Sequence, residues 1–278
     1  MKWTIVTDSG CDIRTMESPN FLYQQVPLSL QLGDDVYVDD AKLDTAMFVE
    51  ALNQYKGKTV SACPSPGAWK KAFSKADHVI ALPISGGMSS SFESAQLGMK
   101  LALEENPNRK ILVVDSSNAS SGIIVLLQKL AEFIEEGIPF EQIEEKYEQY
   151  KKKVRLIFTL KKLDNLAKNG RVNKAVAAIA GVLNIQVIAT ASPEGKFDTI
   201  GKARGESKAL ASIVNEMVKA GCGKTKAIIT HCHNLPAANA LREMIEKTFD
   251  GIKVQVFASS GLVSYYAEKG GLLVGFEC

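Results

Sequence analysis

The chain has 278 residues, 46% of them hydrophobic, and carries 33 Lys and Arg against 31 Asp and Glu for a formal net charge of +2. That length suits one large domain or two ordinary ones, each able to bury its own core. A charge this near zero, with acids and bases interspersed, leaves no footprint for nucleic acid or an anionic membrane, and a cluster such as Lys151-Lys152-Lys153 reads as a solvated helix end.

The first predicted element is a strand over 3–7, whose apolar stretch meets an acid at Asp8, too early for a signal peptide. The loop Thr7-Asp8-Ser9 follows it, with Asp12 shortly after, and a carboxylate placed there either orients a hydroxyl or caps a helix. A helical pattern covers 46–54. The loop Ser61-Ala62-Cys63-Pro64-Ser65-Pro66-Gly67 then enters a helix that begins near Ala68. A Ser cap followed by Pro at the first helical position explains Ser65 and Pro66 but not Ser61, which could reach the same ligand as Ser89. A strand over 78–84 leads into Ser85-Gly86-Gly87-Met88-Ser89-Ser90-Ser91 and a helix over 92–104. Hydroxyls and free N–H groups at such a junction either hold an anion or simply form a tight turn with a Ser cap. A strand over 110–115 ends in Asp115-Ser116, and Gly122 opens a helix over 123–136.

The highly charged helix over 141–152 runs directly into a strand-like segment over 154–159, with no Gly/Pro linker between them. This is the expected domain boundary, giving domains 1–153 and 154–278. In the second half, Lys168-Asn169-Gly170-Arg171-Val172-Asn173 precedes an Ala- and Gly-rich helix over 175–183, apolar on nearly every face. Such a helix either packs closely or leaves room for a ligand chain. It is also the longest apolar run, at nine residues too short to span a bilayer. A strand over 185–189, Gly201-Lys202-Ala203-Arg204, a helix over 207–220, a strand over 226–230, a helix over 237–249 and a strand over 253–258 complete the chain order. Arg171 and Arg204 either serve carboxylate or phosphate recognition or lie idle at the surface.

Strands that alternate with helices, most of them short apolar runs without alternation, imply an α/β fold with mostly parallel sheets. Ligands in such sheets bind outside the carboxyl ends of the strands, and a cleft between two domains is a common place for one. Five widely spaced cysteines (Cys11, Cys63, Cys222, Cys232, Cys278) with no C-x-x-C pair argue against a disulfide framework and a zinc site, and fit a reducing cytoplasm. His231 and His233 lack nameable co-ligands for a metal. Gly87-Met88-Ser89-Ser90-Ser91 lacks the final Gly of the hydrolase elbow, so a serine hydrolase or transferase built on Ser89 stands only as an alternative, beside a binder of a small phosphorylated metabolite using Arg171 and Arg204. Neither G-x-x-x-x-G-K-[ST] nor G-x-G-x-x-G occurs, so no nucleotide cofactor is expected.

These loops, in this order, resemble the DegV family. The family's opening Asp-Ser matches Asp8-Ser9, and its Thr-Ser-Gln-Pro-Ser-Pro loop matches Ser61-Ala62-Cys63-Pro64-Ser65-Pro66. Its Ser-Ser-Gly-Leu-Ser-Gly-Thr-Tyr loop matches residues Ser85 to Phe92, and its next Asp-Ser matches Asp115-Ser116. Gly170-Arg171, Leu183-Asn184-Ile185 and Gly201-Lys202-Ala203-Arg204 match further motifs, so the correspondence covers nearly the whole chain. The resemblance implies two α/β domains with a long-chain fatty acid in a buried tunnel between them, its carboxylate held by Ser61 and Ser89. It also implies a carrier that is not itself an enzyme. Such a carrier presents the acid to a separate fatty acid kinase, which makes the acyl phosphate. Asp8, Ser9, Arg171 and Arg204 then support the site or face the partner. One departure matters: where the family carries a carboxylate-binding His near the C-terminus, this chain has Ala267, which leaves Tyr266 or Tyr265 to compensate.

Overall fold

A computed structural model describes residues 3–180, 182–223 and 225–278. The first half contains β1 (Trp3–Asp8), β2 (Phe21–Val26), β3 (Ser29–Leu32), β4 (Asp35–Val38), α1 (Thr45–Gln54), β5 (Thr59–Ala62), α2 (Pro66–Phe73), β6 (His78–Leu82), α3 (Ser91–Glu105), β7 (Lys110–Val113), α4 (Ser121–Glu135) and α5 (Phe140–Lys151). The second half contains β8 (Val154–Leu160), α6 (Asp164–Lys168), α7 (Lys174–Ala180), β9 (Ile185–Ala191), β10 (Phe197–Arg204), α8 (Glu206–Lys219), β11 (Lys226–His231), α9 (Leu235–Thr248), β12 (Lys253–Ala258), α10 (Gly261–Ala267) and β13 (Leu272–Glu277). Of the helix expected over 175–183, α7 covers the part up to Ala180 and residues 182 and 183 are not helical; residue 181 lies outside the described residues.

The chain is α/β. Its first sheet, in the order β2-β1-β6-β7, is parallel throughout, as the unalternating apolar runs of β1 and β6 require. The parallel expectation does not extend to the second sheet, ordered β10-β9-β8-β13-β11-β12. There only β11 and β12 pair in parallel, and the other four pairings are antiparallel. Two unpredicted strands account for the difference. β10 folds back on β9 through the turn Ser192-Pro193-Glu194-Gly195, and β13 inserts between β8 and β11. A small antiparallel sheet, β4-β3-β5, was also unpredicted. The sequence boundary at 153/154 falls between α5 and β8, so the parallel sheet draws its strands from before it and the larger sheet from after it.

Alternate residues of the central strands feed different cores. Val6, Val79 and Ala81 pack under Trp69 and Phe73 of α2, whereas Ile5, Ile80 and Leu82 join the core that contains α4. The α4 sequence is apolar on nearly every face (Ile123 to Leu127 are all fully buried), and the helix packs against β8, β11 and β13 of the larger sheet. Its start lies so near β13 that a Cβ on Gly275 would stand 2.4 Å from the Ser121 carbonyl oxygen, so no larger residue fits there. On the far face of that sheet, α8 and α9 cover Ile157, Ile188, Ile229 and Val274. The loops at the start of α3, α4 and α10 thereby converge on one region.

Candidate ligand-binding cavity

Three buried carboxylates organise that region. Asp8, at the end of β1, accepts hydrogen bonds from the backbone N–H groups of Gly10 and Ile84 and from the Ser91 hydroxyl (2.9, 3.0 and 2.5 Å). It thereby fixes the Gly/Ser loop that leads into α3. Asp12 accepts from the Ser120 hydroxyl at the start of α4 and from the Ser260 N–H at the start of α10 (2.5 and 2.6 Å). Burial pushes both carboxyls up to about 6, against the opposing pull of those hydrogen bonds. Asp39 pairs with Arg14 and accepts from the N–H groups of Gly261 and Leu262, so it receives the open end of α10. Ser9 is buried as well: its hydroxyl accepts from Leu28 N–H (3.0 Å) and its carbonyl from the Ser260 hydroxyl (2.7 Å). Asp8 and Ser9 are therefore both buried and hydrogen-bonded within the walls.

The walls enclose a cavity with about 710 Å³ of space free of atoms, a figure that includes open space at the mouth. Most of the lining is apolar. Leu156, Phe158 and Leu160 of β8 form one wall; Ile84, Met88, Leu28, Ala119, Leu166, Phe197, Leu262, Val263, Ala267 and Leu273 complete it. The polar lining residues are Ser61, Ser89, Ser120, Arg171 and Tyr266, and Arg171 is the charged one.

The structure thus brings Ser61, Ser89, Arg171 and Tyr266 to one cavity. Ser61 on β5 and Tyr266 on α10 share a hydrogen bond between hydroxyls at 2.7 Å. Ser89 sits in the turn where the N–H groups of Met88 and Ser89 bond the Ser85 carbonyl, and its Oγ accepts from Ser91 N–H at 3.2 Å. Arg171 donates from Nε to the Met88 carbonyl (3.1 Å) and from Nη1 to the Asn169 carbonyl (2.6 Å), and its guanidinium lies 5.9 Å from the centre of the Tyr266 ring. Tyr265 points elsewhere. Its hydroxyl donates to Thr59 Oγ1 (2.8 Å) and accepts from Asn169 (2.8 Å), and Asn165 bonds its carbonyl. Of the two tyrosines, only Tyr266 lines the cavity, next to Ala267. Arg204 is not brought to it; it is exposed at the end of β10.

No histidine is among the lining residues. His78 stands at the start of β6, His231 Nδ1 accepts from Asn234 N–H, and His233 is exposed. Among the described residues no group of three or more His, Cys, Asp or Glu could hold a metal. Sequence reasoning missed Ser120, Phe158 and Phe197. Ser120 lies in the polar run that begins at Asp115, a signal of the same kind as the other loops. Phe197 follows the turn at Gly195, which was readable as a hairpin. That turn is seated on the Gly/Ser loop: Ser85 Oγ donates to the Gly195 carbonyl (2.7 Å), and a Cβ on Gly87 would lie 2.3 Å from the Glu194 carbonyl. Among the described residues, no helix is long and apolar enough to cross a membrane.

With this geometry in place, comparison with known proteins is informative. The model of the DegV family matches residues 2–277. A DegV domain-containing protein of Streptococcus gordonii is 39% identical over 279 residues, covering 100% of this chain and 99% of its own. Among solved structures, the B3 protein of fatty acid kinase from Streptococcus pneumoniae, loaded with linoleic acid, superposes with a TM-score of 0.97 at 39% identity, covering 100% of this chain and 99% of its own. A DegV family protein from Eubacterium eligens, loaded with heptadecanoic acid, gives 0.95 at 37% identity, with 99% of each chain covered.

Proposed function

We infer from one premise, that the chain belongs to the DegV family, that this cavity holds a long-chain fatty acid. The observation that carries the reading is the cavity's polarity: hydroxyls of Ser61, Ser89 and Tyr266 and the guanidinium of Arg171, with Ser120, on a mostly apolar lining. A carboxylate accepts hydrogen bonds and donates none, which suits that set of donors. The tail supplies most of the affinity. At about 0.8 kcal/mol per buried methylene, a chain of roughly 15 carbons gains on the order of 10 kcal/mol. The solved relatives loaded with linoleic and heptadecanoic acids support the same ligand class.

In this reading the protein is a carrier and not an enzyme. It presents the carboxylate to a separate fatty acid kinase, a partnership supported by the name of the S. pneumoniae relative. Residues 1–153 and 154–278 are its two domains, a division supported by the way each large sheet takes its strands from one side of that point. The test is mass spectrometry of the small molecule that co-purifies with the chain, followed by delipidation. We expect near one long-chain acid per chain and a lower melting temperature once it is removed, because a ligand bound only to the native state stabilises it. Recovery of no acyl chain, with a melting temperature unmoved by added acid, refutes the reading. Covalent labelling of Ser89 by a fluorophosphonate would replace it with the hydrolase alternative.

A further inference from the structure

Ser85 opens the loop between β6 and α3 and is fully buried, with each of its polar groups engaged. Its N–H donates to the Asn118 carbonyl (2.9 Å), and its carbonyl accepts from the N–H groups of Met88 and Ser89 (3.1 and 3.0 Å). Its hydroxyl accepts from Gly87 N–H (3.1 Å) and donates to the Gly195 carbonyl (2.7 Å). A hydroxyl has one proton to give, and here Gly195 receives it. Ser85 is also not among the lining residues, so it holds nothing in the cavity itself. What it holds is the turn that carries Ser89. Other groups steady the same loop: Gly86 N–H donates to Asp115 Oδ1 and Arg171 Nε to the Met88 carbonyl (3.0 and 3.1 Å). The bond to the backbone N–H of Ser89 comes from Ser85.

We propose that Ser85 is a positioning residue of the ligand site: it clamps the Gly/Ser loop to the β9–β10 turn and so aims the Ser89 hydroxyl at the ligand carboxylate, without touching the ligand. The proposal rests on the fatty-acid reading above. The clamp joins distant parts of the chain. Gly195, at φ +68°, belongs to the β9–β10 turn, and two residues on Phe197 lines the cavity edge-on to Phe158 (5.4 Å between centroids, 65° between planes). Backbone meets backbone there, because a Cβ on Gly195 would collide with Ser85 Oγ, as one on Gly87 would with the Glu194 carbonyl. Among the described residues, the Ser85–Gly195 bond is the one hydrogen bond between the two loops. Removing the Ser85 hydroxyl leaves the Gly87 N–H and the Gly195 carbonyl without this partner, and the turn loses its fixed seat. A hydrogen bond weakens steeply once donor and acceptor are misaligned, so a shifted turn costs the Ser89 bond to the ligand.

The test is a double-mutant cycle on the Kd for oleic acid, measured on the delipidated full chain at pH about 7.5 with wild type, Ser85→Ala, Ser89→Ala and the double variant. Each single change should weaken binding about fivefold. The double variant should also be weakened about fivefold, not about 25-fold, because Ser85 acts only through Ser89. A merely structural role for Ser85 would instead lower affinity by the same factor whether or not Ser89 is present. Should Ser85→Ala fail to fold, Ser85→Cys, whose thiol is a weak donor, is expected to weaken binding about two- to fivefold with Ser89 present and less than about 1.5-fold without it. Equal losses in both backgrounds overturn the proposal, as does wild-type affinity in a folded Ser85→Ala or in Ser89→Ala. If wild type binds no fatty acid, the fatty-acid reading itself has failed, an outcome separate from a cycle that proves additive.

Discussion

Asp12 and Asp8 are both buried carboxyls raised to about 6, yet their surroundings predict opposite responses to Asn. Asp12 Oδ1 accepts from Ser260 N–H and Oδ2 from a hydroxyl, that of Ser120. An amide nitrogen in place of Oδ2 can donate to Ser120 Oγ, so Asp12→Asn keeps its contacts. Asp8 has a backbone N–H on each oxygen, from Gly10 and from Ile84, so Asp8→Asn sets one N–H against another. A raised folded pKa means that the native state binds the proton more tightly than the unfolded chain does. The stability this brings is complete below about 3.8 and is lost as pH rises through about 6. A shift of about two units corresponds to about 3 kcal/mol, of which about 2 kcal/mol is lost between about pH 4.5 and about pH 7.5. Asp12→Asn lacks this loss. In urea unfolding, its stability relative to wild type should therefore improve by about 2 kcal/mol between those two pH values. Asp8→Asn should be destabilised by about 1–3 kcal/mol at neutral pH through its unsatisfied N–H. A wild-type to Asp12→Asn difference that does not change with pH would refute the reasoning, since it would mean that burial does not raise this carboxyl.

Arg171→Met should weaken oleic acid binding by about 10- to 100-fold, the range of a charge-assisted hydrogen bond, while leaving oleyl alcohol binding within about threefold; equal losses for both would show that Arg171 only props the loop. In a double-mutant cycle on acid affinity, Ser61→Ala and Tyr266→Phe should couple by about 0.5–1.5 kcal/mol because their hydroxyls share one hydrogen bond; strictly additive effects would mean that they do not act together. Ser89→Ala should weaken acid binding about fivefold at pH about 7.5, and Ser120→Ala by less than about twofold; the reverse order in a fluorescence titration would contradict the hydrogen-bond directions described above.

Much of the α/β framework was legible because buried parallel strands leave a strong mark. The unalternating apolar runs at β1, β6 and β11 and the amphipathic helices between them appear where the pattern put them. The second sheet was misread for a physical reason. A strand–helix–strand spacing suggests a crossover, but it does not reveal a strand inserted from elsewhere, and β13 reaches its place between β8 and β11 from the far end of the chain. β10 was missed because most of its side chains are exposed and polar, so it lacks an apolar run. The small sheet was missed because β4 is short and largely exposed. In the site, Ser61 stood out as a hydroxyl that no cap explained, Ser89 belonged to a loop that read either as an anion holder or as a capped turn, and both line the cavity. Arg204 shared its motif type with Arg171 but lies elsewhere, since side-chain direction at a strand end is set by tertiary packing. Leu156 and Phe158 had no polar signal at all. An apolar ligand wall has the same composition as a core, and only the space beside it distinguishes the two.

On the fatty-acid reading, the hydrogen-bond directions reconcile a carboxylate in the cavity with the three buried acids that stand behind its walls. A hydroxyl has one proton to donate. Ser91 and Ser120 give theirs to Asp8 and Asp12, so Ser120, although it lines the cavity, presents only lone pairs inwards while Asp12 is ionised. Ser89 is wired the other way: its oxygen already accepts from Ser91 N–H, which leaves its proton for a ligand. The Ser61–Tyr266 pair uses one of its two protons internally and keeps the second. Neutral donors and one guanidinium thus face inwards, while the anionic groups are neutralised in the layer behind by backbone N–H groups, hydroxyls and Arg14. Asp12 links this layer to the ligand. Protonation as pH falls through about 6 would let Asp12 donate to Ser120 and free the Ser120 proton towards the cavity, so the same titration that alters stability adds a donor to the site.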